Sequence, residues 1–456
     1  MLLNPVFFKL NKTPLLLALV SLLLYISFAY DLIRTDYIKL VMLYGALWFL
    51  FYKLVQFLKT NIKLLTWLAF GLRAIFILAI PNLSQDFYRF IWDGRMLLEG
   101  FNPYLFTVES FISKGEFPVA QAQELYNGMG TLNASHFTNY PPINQLCFVI
   151  AGLFTGKSIL GSVVIMRLLI IIADFGTLYF GKKLLTKLKI PAYNIFWYIL
   201  NPFIIIELTG NLHFEGVMIF FLVWSLYLLH IGKWQFAAIV LALSVSVKLI
   251  PLIFLPLLFQ KLDWKKSIGF YLILGSITLL LFAPFYASEF INNYTETVAL
   301  WFQNFEFNAS IYYIAREIGY SFRGYNEIAI IGKMTPIVVI FFVLIITFFR
   351  KNKTTIQLIT AMLLVLSFYY FTTTTVHPWY IATLLILSVF TKYKFPLVWS
   401  IAIILSYLAY INVDKADKSE NLWVIALEYL IVYSVFVWEV FLNKKKEVKK
   451  PPLEKI

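Results

Sequence analysis

Long apolar runs separated by short polar connections recur along the chain, at residues 14–30, 62–80, 267–285, 336–349 and 422–442 among others. Each comes near the roughly 20 residues that a helix needs to cross the hydrocarbon core of a bilayer. The short segments of alternating apolar and polar residues that mark a membrane β-barrel are absent from the sequence. The pattern therefore predicts an all-α, polytopic integral membrane protein of about 13 transmembrane helices, with outer-side loops carrying interfacial helices.

Two runs break the rhythm. Residues 143–154, after Tyr140-Pro141-Pro142, are shorter than a span and predict an embedded helix that does not cross. Residues 234–259 are interrupted by Lys248 and Pro251, which predicts two half-helices forming a hairpin with Lys248 at its outer turn. The first apolar run lacks a small-residue cleavage site and reads as a retained span.

Basic residues punctuate the runs at Lys9/Lys12, Lys59/Lys63, Lys182-Lys183, Lys261/Lys265/Lys266, Arg350-Lys351, Lys392/Lys394 and Lys444-Lys445-Lys446. The positive-inside rule puts these clusters, and with them both termini, in the cytoplasm. The expected organisation is one transmembrane domain over residues 1–443, with outer loops near 81–140 and 287–331, followed by a basic cytoplasmic tail over 444–456. The expected location is a cell membrane, in particular a bacterial inner membrane with its active site on the periplasmic side. The unusual polar segments, 86–95, 210–216, Lys248, 306–310 and 377–380, all fall on that outer side.

Composition agrees: 61% of residues are hydrophobic and only 14% are charged. That excludes an ordinary soluble domain, in which apolar usage is roughly 45–50%. The formal charge of +14 follows from topology rather than from nucleic-acid binding, since the lysines flank spans instead of building a recognition motif. The single cysteine, Cys147, excludes an intramolecular disulfide and reads as a small buried hydrophobe.

In so apolar a chain, charge at a membrane mouth needs a partner or a substrate. Asp86 and Asp93 are seven apart, so a helix puts them on one face, with Arg89 near Asp86 and Arg95 near Asp93. This is either a pair of ion pairs anchoring an interfacial helix or a carboxylate base beside cations that hold phosphate. Asn201-Pro202, Glu207 and Gly210-Asn211-Leu212-His213-Phe214-Glu215-Gly216 form a polar patch between apolar runs. His213 and Glu215 at i and i+2 point to different sides of a helix, which disfavours a metal site and leaves a divalent ion as the lesser possibility. Glu207 could be functional, or be answered by Arg167 or Lys248. Arg167 and Asp174, also seven apart, read first as a buried structural pair facing the bundle interior, with a bridge between helices and a catalytic role as the other readings. Lys248 could snorkel or contact phosphate. The stretch from Trp301 to Ser310, with Glu306 and Asn308, offers belt aromatics or a surface for sugar rings. His377, ahead of Pro378-Trp379-Tyr380, is either a structural donor or a charged donor to phosphate.

Taken in order, Ser84-x-Asp86-x-Tyr88-Arg89-x-x-Trp92-Asp93-Gly94-Arg95, Gly100-x-Asn102-Pro103-Tyr104, Tyr140-Pro141-Pro142, the Asn201-Pro202 and Gly210–Gly216 elements, Ser246-Val247-Lys248-Leu249-Ile250-Pro251, Phe305–Ser310 and His377–Tyr380 resemble the polyprenyl-phosphate-mannose-dependent mannosyltransferases of the glycosyltransferase-C fold. Many relatives read Asn-Asp where this chain has Phe214-Glu215. The resemblance implies transfer of a hexose, in particular mannose, from a polyprenyl-phosphate donor to a glycan or lipid-linked acceptor on the outer side. It implies catalysis from the first outer loop, with Asp86 as base and Asp93 as second acid, and no bound cofactor. Such chemistry needs one base, inverts the anomeric centre, and would draw donor-phosphate contacts from Arg89, Arg95, Lys248 and His377. His213, Glu215, Glu306, Asn308, Trp379 and Tyr380 are the expected substrate contacts. Expected partners are the lipid-linked donor, the acceptor and membrane lipids. A lipid-linked-sugar transporter or flippase, or a glycan polymerase or ligase, remains the alternative.

Overall fold

In a computed structural model, residues 11–303, 305–412 and 420–443 are described. The basic tail over 444–456, Lys9 and Asn304 lie outside them, as do residues 413–419. The fold is helical, and the described residues contain no β-strand beyond one isolated bridge between Phe307 and Thr375.

We number the principal helices in chain order: α1 Lys12–Tyr30, α2 Tyr37–Leu58, α3 Ile62–Ala74, α4 Asp86–Leu98, α5 Pro142–Thr155, α6 Ile159–Lys187, α7 Glu215–His230, α8 Trp234–Val245, α9 Phe259–Phe282, α10 Ile328–Phe349, α11 Thr355–Thr372 and α12 Leu422–Val437. Among the described residues, seven helices are long and apolar enough to cross a membrane, or eight if the bent pair Pro202–Gly210 and Glu215–His230 is one span. Shorter apolar helices are Pro142–Thr155, Trp234–Val245, Pro378–Val389 and Phe395–Ile411. The larger count expected from sequence treats such short pieces as membrane helices. Hydropathy alone does not separate a buried short helix from half of a broken span.

The bend between Pro202–Gly210 and α7 is 116°, and its loosened backbone is held by a guanidinium. Arg167 donates to the carbonyl oxygens of Thr209 (2.8 Å), Gly210 (2.8 Å) and Ile77 (3.0 Å). Asp174 pairs not with Arg167 but with Arg73 of α3, at 2.7 Å, with both side chains fully buried. The two charges of α6 thus serve different neighbours, and the bridge between helices is the one from Asp174 to α3.

Helix α4 lies against α5 so closely that a Cβ on Gly94 would sit 2.4 Å from the Phe148 carbonyl oxygen. Glycine is required there because backbone, which cannot rotate away, occupies the space. Gly94→Ala should therefore push α4 off α5, at a cost of about 1–3 kcal/mol. Unfolding in detergent reads this as a lowered midpoint, and an unchanged midpoint would contradict the packing.

Candidate active site

Asp86 is the first residue of α4, where the unpaired N–H groups of the first turn favour a carboxylate. Asn133 donates to its Oδ1 at 3.3 Å. Among the described residues no cation lies within 4 Å of Asp86, and its side chain is only partly covered. Burial pushes its carboxyl above the ordinary range, opposed by the Lys248 ammonium, the Asn133 hydrogen bond and the Arg34 guanidinium.

Asp93 has a different setting. It is fully buried, accepts from Arg89 Nε at 2.8 Å on Oδ1, and accepts from Gln145 Nε2 at 3.2 Å on Oδ2. Arg89 also donates to the carbonyls of Asn133 (2.6 Å) and His136 (2.9 Å). Arg95 reaches the Ala120 carbonyl at 2.6 Å and Gln121 Oε1 at 3.3 Å. The pairing expected from sequence, Arg89 with Asp86 and Arg95 with Asp93, is therefore replaced. Arg89 and Asp93 are i and i+4 and meet on one side, whereas Asp93 and Arg95 are i and i+2 and diverge.

The bend before α7 brings the next groups in. Asn211 fixes it to the start of the α4 segment by accepting from the Leu83 N–H at 3.0 Å and donating to the Ile206 carbonyl at 3.1 Å. Leu212 takes a left-handed φ of 63°. Phe214 is then packed against Phe90 (ring centroids 5.7 Å) and Phe148 (5.3 Å), with Tyr140 edge-on to Phe90 at 5.0 Å. This aromatic floor sets the spacing between α4, α5 and the bend. Glu215 pairs through Oε1 with Lys248 Nζ at 2.5 Å, and Lys248 comes from the interruption between α8 and Ile250–Phe254. Glu207 accepts from the Tyr407 hydroxyl at 2.7 Å and lies 3.8 Å from His213 Nε2; neither Arg167 nor Lys248 is its partner.

A column of rings closes one side. His213 stacks on Trp379 (3.7 Å, 18°), Trp379 on His377 (4.6 Å, 6°), and His377 on Phe307 (5.0 Å, 28°). Tyr380 meets His377 edge-on at 5.4 Å. Burial, and after it Lys248, pushes the His377 imidazole down to about 3, so it is neutral at ordinary pH and not the charged donor of one sequence reading. Phe307 is held by two backbone bonds, its N–H to the Thr374 carbonyl (3.1 Å) and the Val376 N–H to its own carbonyl (2.8 Å).

Glu306 and Asn308, on either side of Phe307, are engaged away from this column. Glu306 is bound by Arg316 (2.6 Å) and the Tyr312 hydroxyl (2.6 Å). Asn308 takes Glu420 on its N–H (2.9 Å) and Glu428 on its amide (3.2 Å). These two residues brace the segment. Their sequence signal resembled a sugar surface because amide and carboxylate groups serve both purposes.

Sequence reasoning missed Arg34, in the turn between α1 and α2, together with Asn133, Gln145 and Tyr410. A lone arginine in a short connection carries no motif, and its tie to Leu83 reaches 49 positions along the chain. Among the described residues no group of three or more His, Cys, Asp or Glu side chains is placed to hold a metal ion. Beside α4 and α5 runs an open apolar groove of about 450 Å³, lined by Leu97, Phe101, Ile143, Leu146, Leu281 and Phe285 among others.

Residues 16–262, which carry Asp86, Asp93, His213, Glu215 and Lys248, match the family model for the N-terminal domain of alpha-(1->6)-mannopyranosyltransferase. Over 254 residues the chain is 21% identical to alpha-(1->6)-mannopyranosyltransferase A of Mycobacterium tuberculosis, a match covering 50% of this chain and 47% of that protein. The chain thus aligns with about half the length of this curated relative. With the family model covering more than half of its residues, the chain belongs to the alpha-(1->6)-mannopyranosyltransferase family.

Proposed function

We propose that the protein is a membrane-embedded mannosyltransferase that moves mannose from a polyprenyl-phosphate donor to a glycan or lipid-linked acceptor on the outer face of a cell membrane, with inversion. The observation that carries this reading is the contrast among three carboxylates: Asp93 is held by Arg89 and Glu215 by Lys248, while Asp86 has no cation within 4 Å among the described residues and is partly open. A base has to reach its proton, and only the unpaired, accessible carboxylate meets that demand.

Asp86 takes the proton of the acceptor hydroxyl as that oxygen bonds to the anomeric carbon. The bond from the anomeric carbon to the phosphate oxygen breaks, and the lipid phosphate leaves with the electron pair. Because a phosphate leaves as a stable anion, it needs charge stabilisation rather than a general acid. Lys248 supplies that charge beside Glu215. Trp379, Tyr380 and the His213–His377 column offer ring faces and polar edges to the sugar, and His377 donates as a neutral imidazole. Arg89 and Arg95, engaged by Asp93 and by backbone carbonyls, shape the loop rather than the phosphate. Asp93 is a positioning group through Arg89. The groove along Leu97, Phe101 and Leu146 suits a prenyl chain.

The test is transfer by purified protein from synthetic β-linked polyprenyl-phosphate mannose, compared with a sugar nucleotide. Transfer from the lipid donor alone, giving an α-linked product by NMR, is expected. Use of the nucleotide alone would remove the lipid-donor reading, and a β-linked product would remove the single-base mechanism.

A further inference from the structure

Arg34 stands apart from the other arginines near the site because its donors are so little used. Arg89 and Arg95 are buried and committed. Arg34 is half-buried, with its guanidinium 4.2 Å over the Tyr410 ring and one hydrogen bond, at 3.3 Å, to the Leu83 carbonyl. Among the described residues no carboxylate lies within 4 Å of it.

Its contacts tie it to two parts of the site. Leu83 is three residues before Asp86 and is tied through its N–H to Asn211 of the bend. Tyr410 lies 5.9 Å from Phe307, the ring on which His377 stacks. Arg34 therefore sits where the α4 segment meets the ring column. Lys248 and Arg34 are the two cations that act on the Asp86 carboxyl.

A guanidinium is planar and presents its N–H groups as a fork, the arrangement that takes two oxygens of a phosphate side by side. In a partly dry site such a contact is worth more than in water. From this geometry we infer that Arg34, together with Lys248, holds the phosphate of the lipid-linked donor and of the polyprenyl phosphate that leaves. The inference rests on the proposed lipid-phosphate donor. The competing role is mechanical, with Arg34 only joining Leu83 to Tyr410.

The test compares wild type, Arg34→Gln and Arg34→Lys in detergent. The readouts are KM and kcat for synthetic polyprenyl-phosphate mannose, inhibition by polyprenyl phosphate and by inorganic phosphate, and the unfolding midpoint. Arg34→Gln is expected to raise both the donor KM and the inhibition constant of polyprenyl phosphate tenfold or more at a wild-type midpoint. Arg34→Lys should recover part of each, since it keeps the charge but loses the fork. An inhibition constant unchanged in Arg34→Gln overturns the inference. If that variant does not fold, the same constant unchanged in Arg34→Lys does so. Inorganic phosphate inhibiting wild type as strongly as polyprenyl phosphate would assign the site to free phosphate and also overturn it. Wild type that transfers nothing from the lipid donor, yet binds polyprenyl phosphate through Arg34, would bring down the donor reading alone.

Discussion

Asp86→Asn should lower transfer by about 10²–10⁴-fold with little change in the unfolding midpoint, because the amide keeps the shape but takes no proton. Asn133 can still hydrogen-bond to that side chain, so the fold has little reason to respond. Asp93→Asn should behave differently. It loosens a buried pair with Arg89, so stability and activity should fall together. Equal loss of activity in both variants without loss of stability in either would overturn the division of roles. The pH dependence follows from the direction of the shift. Asp86 must be ionised to act as base, and burial raises its pKa. Activity should therefore be lost as pH falls through a value above the ordinary carboxylate pKa of roughly 4. Lys248 opposes that rise, so Lys248→Met should move the acidic limb of the kcat/KM profile to higher pH. A limb that stays put would separate Lys248 from Asp86.

The second large effect is structural. Arg73→Met leaves Asp174 buried without its ion pair, and stranding a buried charge costs about 3–5 kcal/mol. Arg73 also donates to the carbonyls of Ala69 (3.0 Å) and Ile199 (2.6 Å), joining α3 to the segment before the bend. The double variant Arg73→Met with Asp174→Leu removes both charges and should recover most of the loss. Denaturant unfolding in detergent checks this, and a double variant no more stable than Arg73→Met alone would show that the carbonyl contacts, not the charge, set the cost.

The loop holding Asp86 was legible because four charges in an apolar chain are conspicuous, and the break at Lys248 was legible because lysine and proline interrupt hydrophobic runs. What the chain brings together from afar was not legible. Asp174 has a plausible partner seven residues away in Arg167, yet it pairs with Arg73, 101 positions distant. Glu306 and Asn308 carry the right chemistry for a sugar but face the helices beyond, since backbone direction is not written in composition. The assignment of Arg89 failed on register, a matter of one residue in a helical turn. Arg34 had no motif at all. Family membership rests on residues 16–262, so the His377–Trp379 column comes from sequence beyond the matched part.

The bend before α7 has a mechanical consequence. A broken helix inside a bilayer is ordinarily a place where a protein can flex, because its backbone has released its own hydrogen bonds. Here Arg167 grips Thr209 and Gly210 on one side and Ile77 on the other, and so works as a rivet rather than an axle. The shelf carrying His213, Phe214 and Glu215 is thereby braced to both the preceding turn and the segment after α3.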